Sequence, residues 1–399
     1  MSTFKTLDDL EVQGCKVLVR SDLNVPIQNG KILDNSRIVR SLPTLNTLIE
    51  KGAKVIVISH FGRPKGQVVP EMSLKPVAKA LENVLGRNVI FGDNCIGATA
   101  QKAIDKASSN DVVLLENLRF HSGEECNADV FADQLAALAD IYINDAFSCA
   151  HRAHASTDAI ARRLPTAAGA LMRAELDALS TSLESPAHPV AAIVGGAKIS
   201  TKMAVLGHLI KRVDQLIIGG GMANTFLFAS GVNIGKSLCE KNMAHQATKI
   251  LKKATAENCE VVLPFDVIVA PEFTEGASTQ TVLIEAVPRD CMILDIGPAS
   301  ISDLKRRLLD CKTVVWNGPL GAFELAPFDL GTNALAQEAA RLTETGSLLS
   351  VAGGGDTISA LKNADCIDGF SYVSTAGGAF LEWLEGRTLP GVAALLGAS

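Results

Sequence analysis

Four short apolar runs in the first half of the chain end in the same kinds of residue. Ser21-Asp22-Leu23-Asn24-Val25-Pro26 follows residues 16–20, with Arg37 downstream, and Ser59-His60-Phe61-Gly62-Arg63-Pro64 follows residues 54–58. Glu116-Asn117-Leu118-Arg119-Phe120-His121 follows residues 112–115. Asn144-Asp145-Ala146-Phe147 follows residues 141–143 and leads to His151, Arg152 and His154. A guanidinium fork matches carboxylate or phosphate oxygens two at a time, so Arg37, Arg63, Arg119 and Arg152 with His60 at one sheet edge would form a cup for a small, highly charged anion. Asp22 and Asn24 suit a hydroxyl. Taken singly, each arginine also fits a solvated surface charge or an ion pair. His151 and His154 read as structural histidines, since no carboxylate lies near them in sequence to complete a metal-ligand set.

The second half carries glycines instead. Gly195-Gly196-Ala197-Lys198-Ile199-Ser200-Thr201-Lys202 follows a strand-like run and opens a helical pattern, with Ser200 as the expected N-cap and Lys202 in the first turn. A cation there opposes the helix dipole, which makes sense if an anion shares the site. Gly219, Gly220 and Gly221 end the next run, and Gly353, Gly354, Gly355, Asp356 and Thr357 end a later one. Bare glycine backbone admits phosphate oxygens to its N–H groups, and Asp356 has the hard oxygen that Mg²⁺ prefers. The alternative for a single cluster is tight turns with Asp356 as an N-cap. Gly231-Val-Asn-Ile-Gly235-Lys236-Ser237 is one residue short of P-loop spacing, and neither a dinucleotide fingerprint nor a protein-kinase signature is present.

The elements that must position these residues alternate. Apolar, β-branched runs at 16–20, 54–59, 112–115, 141–143, 190–194, 215–218, 261–263, 292–294, 313–316 and 348–351 are mostly separated by helical patterns. Strand followed by helix, repeated, predicts right-handed crossovers and parallel sheets covered on both faces. A chain of 399 residues calls for two domains. Leu164-Pro165, a helical stretch through Leu171, Leu176, Leu179 and Leu183, and the stops at Pro186 and Pro189 mark the boundary; an ordinary surface helix within one domain is the alternative. The expected fold is α/β: two Rossmann-like lobes, each a parallel sheet with helices on both faces, joined by a hinge helix. The lobes are 1–170 and 187–375, with the hinge at 171–186.

Composition excludes several functions. A net charge of −6 is wrong for a duplex-sized nucleic-acid surface. The first residues lack a signal-peptide pattern and no run is apolar enough to span a bilayer, so the expectation is a cytoplasmic protein without a membrane partner. Nine cysteines without a Cys-x-x-Cys pair suggest neither a disulfide framework nor a zinc site.

The motifs, in order, resemble phosphoglycerate kinases over essentially the whole chain. They are Arg20-Ser-Asp-Leu-Asn-Val-Pro26, Ser59-His-Phe-Gly-Arg-Pro64, Leu115-Glu-Asn-Leu-Arg-Phe-His121, Asp145-Ala-Phe147 with Ala150-His-Arg-Ala-His-Ala-Ser156, Gly195-Gly-Ala-Lys198, Trp316-Asn-Gly-Pro319, Gly353-Gly-Gly-Asp-Thr357 and Ser374-Thr-Ala-Gly-Gly378. The resemblance implies reversible phosphoryl transfer from 1,3-bisphosphoglycerate to ADP-Mg²⁺, giving 3-phosphoglycerate and ATP, by a monomer. It places the acid in the first lobe: Arg63, Arg119 and Arg152 on the non-reacting phosphate, Asp22, Leu23, Asn24, His60, Phe61 and Gly62 about the glycerate, and Arg37 toward the transferring end. It places the nucleotide in the second: Lys202, Lys198, Asn317, Thr357 and the loop of Gly353, Gly354 and Gly355 near the phosphates, Asp356 on Mg²⁺, Glu324 on the ribose, and Gly219 and Gly220 on the adenine side. Arg37, Lys198 and Lys202 are the implied catalytic cations, and the segment 376–399 is implied to return to the first lobe. Departures from the family pattern are Phe61 for Leu, Ser148-Cys149 for Gly-Thr, and Ala376 for the first of three glycines, where a Cβ must tolerate the loop's backbone angles. An NAD-dependent dehydrogenase and a non-enzymatic two-lobed anion-binding protein are the competing readings.

Overall fold

A computed structural model describes residues 4–28, 30–108 and 110–397. The chain divides into two compact units, one formed by residues up to Leu176 together with those from Thr388 onward, the other by Asp177–Arg387.

In the first unit the strands are β1 (Lys16–Ser21), the short antiparallel pair β2 (Ile27–Gln28) and β3 (Lys31–Ile32), β4 (Lys54–Ile58), β5 (Val89–Gly92), β6 (Val112–Leu115), β7 (Ile141–Asp145) and β8 (Thr166–Ala168). Six of them form a parallel sheet ordered β5-β6-β4-β1-β7-β8. Val17–Val19, Val55–Ile58 and Val112–Leu115 are unbroken apolar runs because helices cover both faces of the sheet. Val17, Val19, Val55 and Val57 face one core, while Leu18, Ile56 and Ile58 face the other. Each such side chain contributes roughly 1.5–3 kcal/mol relative to exposure. Strand order reverses on either side of β1, and register sets Arg20 beside Ile58 and Asn144, and Ser21 beside Asp145. The carboxyl ends of β4, β1 and β7 therefore lie side by side, where ligands of open α/β sheets bind.

The second unit repeats this plan with β9 (Val190–Val194), β10 (Gln215–Ile218), β11 (Glu260–Val262), β12 (Asp266–Ala270), β13 (Gln280–Leu283), β14 (Met292–Ile296), β15 (Thr313–Asn317), β16 (Leu349–Gly353) and β17 (Tyr372–Ser374). Its parallel sheet runs β11-β10-β9-β15-β16-β17. Residues 292–294, read as one more parallel strand, instead belong to an antiparallel three-stranded sheet ordered β13-β12-β14. That sheet has its own small core of Val267, Val269, Val287 and Cys291.

The division between units falls within the helix Ala170–Leu179, which continues as a wider π-helical turn over Ser180–Glu184. The segment beginning at 376 does not return at once. Its helix Gly378–Leu384 packs on Met203–Leu209 in the second unit. Only from Thr388 does the chain join the first unit, where Gly391 N–H donates to Ala150 O at 2.9 Å.

Candidate active site

The strand ends of the first unit meet in a continuous hydrogen-bonded cluster. Arg37 Nη1 donates to Asp22 Oδ2 at 2.6 Å, and Ser148 Oγ donates to the same oxygen at 2.5 Å. Asn24 Oδ1 accepts from Gly62 N–H, while Arg119 Nη1 donates to Gly62 O at 2.7 Å. His60 Nδ1 lies 4.0 Å from Asp22 Oδ1. Asp22, Asn24, Arg37, His60, Gly62 and Arg119 are thus brought together. Arg152 bonds its neighbour His151, and its charge, like that of Arg119, is felt at His60. Arg63 is exposed beside Gly62.

Two predicted positions turn their side chains inward. Leu23 and Phe61 are buried in the core, and their N–H groups are already taken by Ser59 Oγ and Asn117 Oδ1. These bonds anchor the two loops. One central residue was missed as a site residue. Arg20, the fifth residue of β1, is only 1% exposed and donates to Ser156 Oγ, Ser21 O, Cys149 Sγ and His60 Nδ1. A charged residue set directly after the apolar run Val17–Val19, still inside the strand, was the available signal.

Beneath it, fully buried Glu124 accepts from the N–H and Oγ of Ser156, with burial pushing its pKa up and Arg20 opposing that. Glu124 also stands 3.8 Å from His154 Nδ1, a carboxylate that sequence separation concealed. Burial, followed by the charges of Arg119, Arg20 and Arg152, brings His154 down to about 4. The Asp22 carboxyl is held below the ordinary carboxylate range, because Arg37, Ser148 and Arg20 outweigh its burial. Asp22, His60 and Cys149 bring ligand atoms within 4.8 Å of one another. The Arg20 guanidinium, 3.1 Å from His60 Nδ1 and 3.6 Å from Cys149 Sγ, sets a positive charge among them, which disfavours a cation.

In the second unit the glycine loops crowd each other. A Cβ on Gly195 would fall 1.8 Å from Pro319 O, one on Gly219 2.6 Å from Leu320 Cα, and one on Gly220 2.9 Å from Gly196 O. These glycines first serve close backbone packing between neighbouring strand ends. Gly353 is likewise covered by the Phe380 ring, whereas a Cβ on Gly355 would meet open space. Gly355 is the one position of the 353–355 loop around which space is open. Gly354, at φ 101°, caps the helix Gly355–Asn363, so exposed Asp356 lies in the first turn and is not the cap. Thr357 is buried; its Oγ1 donates to Gly353 O and accepts from Gly318 N–H, which makes it a strap of the loop.

Ser200 is not the expected N-cap either. Its N–H and Oγ both donate to Glu240, and the α-helix starts only at Met203 with Lys202 before it. Lys202 Nζ donates to Gly195 O at 2.6 Å, Asn317 O at 2.9 Å and Asn317 Oδ1 at 2.6 Å, so its three protons face strand-end carbonyl groups. Burial brings its pKa down to about 8 against the pull of Asp356. Asn317 Nδ2 donates to Gly353 O, tying the lysine to the glycine loop. Lys198 is exposed. Ala376 keeps a negative φ, and the left-handed position falls on Gly377 at φ 54°, so the Cβ is accommodated.

Beside these loops opens a cleft of about 360 Å³, bordered by Gly196, Gly220, Phe273, Asp295, Glu324 and Asp356. Its walls are largely apolar, with carboxylates at the rim. Asp295, another residue not anticipated, accepts from Ile296 and Gly331 N–H groups, and burial pushes it up to about 7. No described helix is long and apolar enough to cross a membrane.

The family model for phosphoglycerate kinase matches residues 7–387. A phosphoglycerate kinase of a Ruegeria species is 57% identical over 392 residues, covering 98% of this chain and 99% of that protein. One from Rhizobium meliloti is 56% identical over 391 residues, covering 98% of each. The solved phosphoglycerate kinase of Coxiella burnetii superposes with a TM-score of 0.91 at 43% identity, covering 98% of this chain and 99% of that one. Matching motifs, two parallel sheets of the same plan and end-to-end similarity lead to one conclusion: the chain belongs to the phosphoglycerate kinase family.

Proposed function

We propose that this phosphotransferase moves the acyl phosphate of 1,3-bisphosphoglycerate to ADP, reversibly, with the acid on the first unit and the nucleotide on the second. The pairing of an arginine-lined strand edge with a separate cleft flanked by glycine loops carries the reading. Family membership sets the dehydrogenase and the non-enzymatic binding protein aside.

In the first unit Arg63, Arg119 and Arg152 hold the remote phosphate, while Asp22, Asn24 and His60 fix the glycerate. Arg37 turns toward the transferring group. In the second, the adenine enters the apolar cleft near Gly219 and Gly220, Glu324 takes the ribose, and the phosphates meet Gly354, Gly355, Lys198, Lys202 and Asn317. Asp356, an exposed carboxylate on the rim with room for phosphate oxygens and water, fits Mg²⁺, which prefers one or two carboxylates plus phosphates. When bound there the ion would neutralise phosphate charge.

The P–O bond to the acyl oxygen breaks as an ADP oxygen bonds the phosphorus, through a loose transition state with charge on the equatorial oxygens. Lys202 exchanges carbonyl partners for one of those oxygens, and Arg37 offers a second positive charge from the acid side. Catalysis rests on positioning and preorganised charge. The two substrates must meet, so we propose that the units close during turnover about the segment 171–186, excluding water that would hydrolyse the acyl phosphate. A monomer working in the cytoplasm suffices for this chemistry. The test is a coupled assay with 3-phosphoglycerate and Mg-ATP. Sustained turnover is expected, and its absence with folded protein would reject the reading.

A further inference from the structure

We infer that Arg20 acts as a positioning residue that fixes His60 as a neutral imidazole with its proton on Nε2, leaving Nε2–H as the only donor His60 offers to a ligand. The inference rests on the proposal that His60 contacts the acid, and concerns how it does so.

Arg20 is 1% exposed, so it works through its neighbours rather than on substrate. A guanidinium has donors only and no lone pair to accept with. Its Nη2 lies 3.1 Å from His60 Nδ1. That ring nitrogen must then be the acceptor, and a neutral imidazole with an acceptor at Nδ1 carries its hydrogen on Nε2. Protonating Nδ1 would oppose two N–H groups and two positive charges across 3.1 Å in a buried site.

Arg20 cannot turn away, because Nε is held by Ser156 Oγ at 2.9 Å and Nη1 by Ser21 O at 2.6 Å. Glu124 anchors that Ser156 from below, at 2.6 Å from its Oγ. The groups facing His60 are Arg20 and Asp22 from β1 and the residue after it, Cys149 at 3.9 Å, and the charges of Arg119 and Arg152. Asp22 alone favours a cationic ring. Burial and the three arginines oppose it, and His60 is held well below the ordinary histidine range. An anion-binding cup gains from this: a neutral donor keeps its hydrogen bond to a carboxylate or hydroxyl at any working pH, and the cationic work stays with the arginines.

The experiment is nitrogen NMR of the full chain with labelled histidine, His60 being identified by loss of its signals in His60→Gln. Expected across about pH 5.5–8.5 is an unprotonated Nδ1, a protonated Nε2 and no titration. Arg20→Lys keeps the charge but not the fork. It is expected to produce mixed tautomers or a titration near about 6.5, with KM for 3-phosphoglycerate raised about tenfold or more and kcat changed less than about threefold. A proton on Nδ1, or a His60 titration near the ordinary histidine value in the unmodified chain, would overturn the proposal. So would an Arg20→Lys chain with raised KM and an unaltered His60. Should that variant not fold, the unmodified chain still decides. The tautomer is read without substrate, so a failed kinase assay and a failed tautomer prediction remain distinct.

Discussion

The two units build their proposed anion-binding surfaces by opposite routes. In the first, side chains do the work: Asp22, Arg37, His60 and Arg119 are locked by one another and by buried Arg20 and Glu124. In the second, backbone does it: Gly195, Gly219 and Gly220 let strand ends pack within van der Waals contact, and one half-buried cation, Lys202, is moored on three carbonyl oxygens. A small acid with several charges needs many fixed forks. A nucleotide, mostly apolar base plus a phosphate tail, needs a cleft and a few exposed N–H groups.

The largest effect belongs to Lys202, the cation proposed to meet charge that develops during transfer. Lys202→Ala should lower kcat by about a thousandfold or more with little change in KM for 3-phosphoglycerate. Near-normal turnover would remove it from the catalytic set. Next come the glycines. Gly195→Ala drives a Cβ into Pro319 O and should destabilise the chain by about 3 kcal/mol or more in denaturant titrations. Gly355→Ala points into open space and should leave stability within about 1 kcal/mol while weakening ADP binding. Equal destabilisation by the two would erase the distinction between packing and ligand glycines.

Much of this contrast was legible before any coordinates. The strand ends stood out because wholly buried parallel strands are unbroken apolar runs, as at Val112–Leu115 and Val190–Val194. The edge strands Val89–Gly92, Thr166–Ala168 and Tyr372–Ser374 are short and carry little signal, and they went unread. So did the antiparallel pairing of Met292–Ile296, whose partner Asp266–Ala270 lies beyond local periodicity. Within the site, charged residues at strand ends were legible, but partners were not. Gly195 reads as a phosphate glycine until Pro319 arrives from far along the chain, and nothing near Lys202 in sequence announces the Asn317 oxygens on which its ammonium rests. Arg20 was hidden for the same reason, since Ser156 and His60 come from other strand ends.

Smaller effects sharpen the comparison. Arg63→Ala should raise KM for 3-phosphoglycerate about tenfold, one charge-assisted contact being worth roughly 1.5–3 kcal/mol before allowance for its exposure. An unchanged KM would detach Arg63 from the phosphate. The units should also respond to opposite ends of the pH scale. His154 titrates near 4 when folded and near 6.5 otherwise, so its contribution is intact at pH 7 and lost as pH falls from 6.5 toward 4. His154→Gln should blunt that acid loss by on the order of 1 kcal/mol in thermal melts. Lys202, at about 8, loses its charge as pH rises. ADP affinity should then fall by up to about tenfold per pH unit above that point, and be flat in Lys202→Met.

The division of labour is tested most directly by crossed calorimetric titration of 3-phosphoglycerate and Mg-ADP into the unmodified chain, Arg152→Ala and Asp356→Ala. Arg152→Ala should weaken 3-phosphoglycerate about tenfold or more and leave Mg-ADP within about twofold, and Asp356→Ala should do the reverse. If either substitution weakened both ligands equally, or each weakened the other's ligand, acid and nucleotide would not occupy separate units and the assignment of the two surfaces would be wrong.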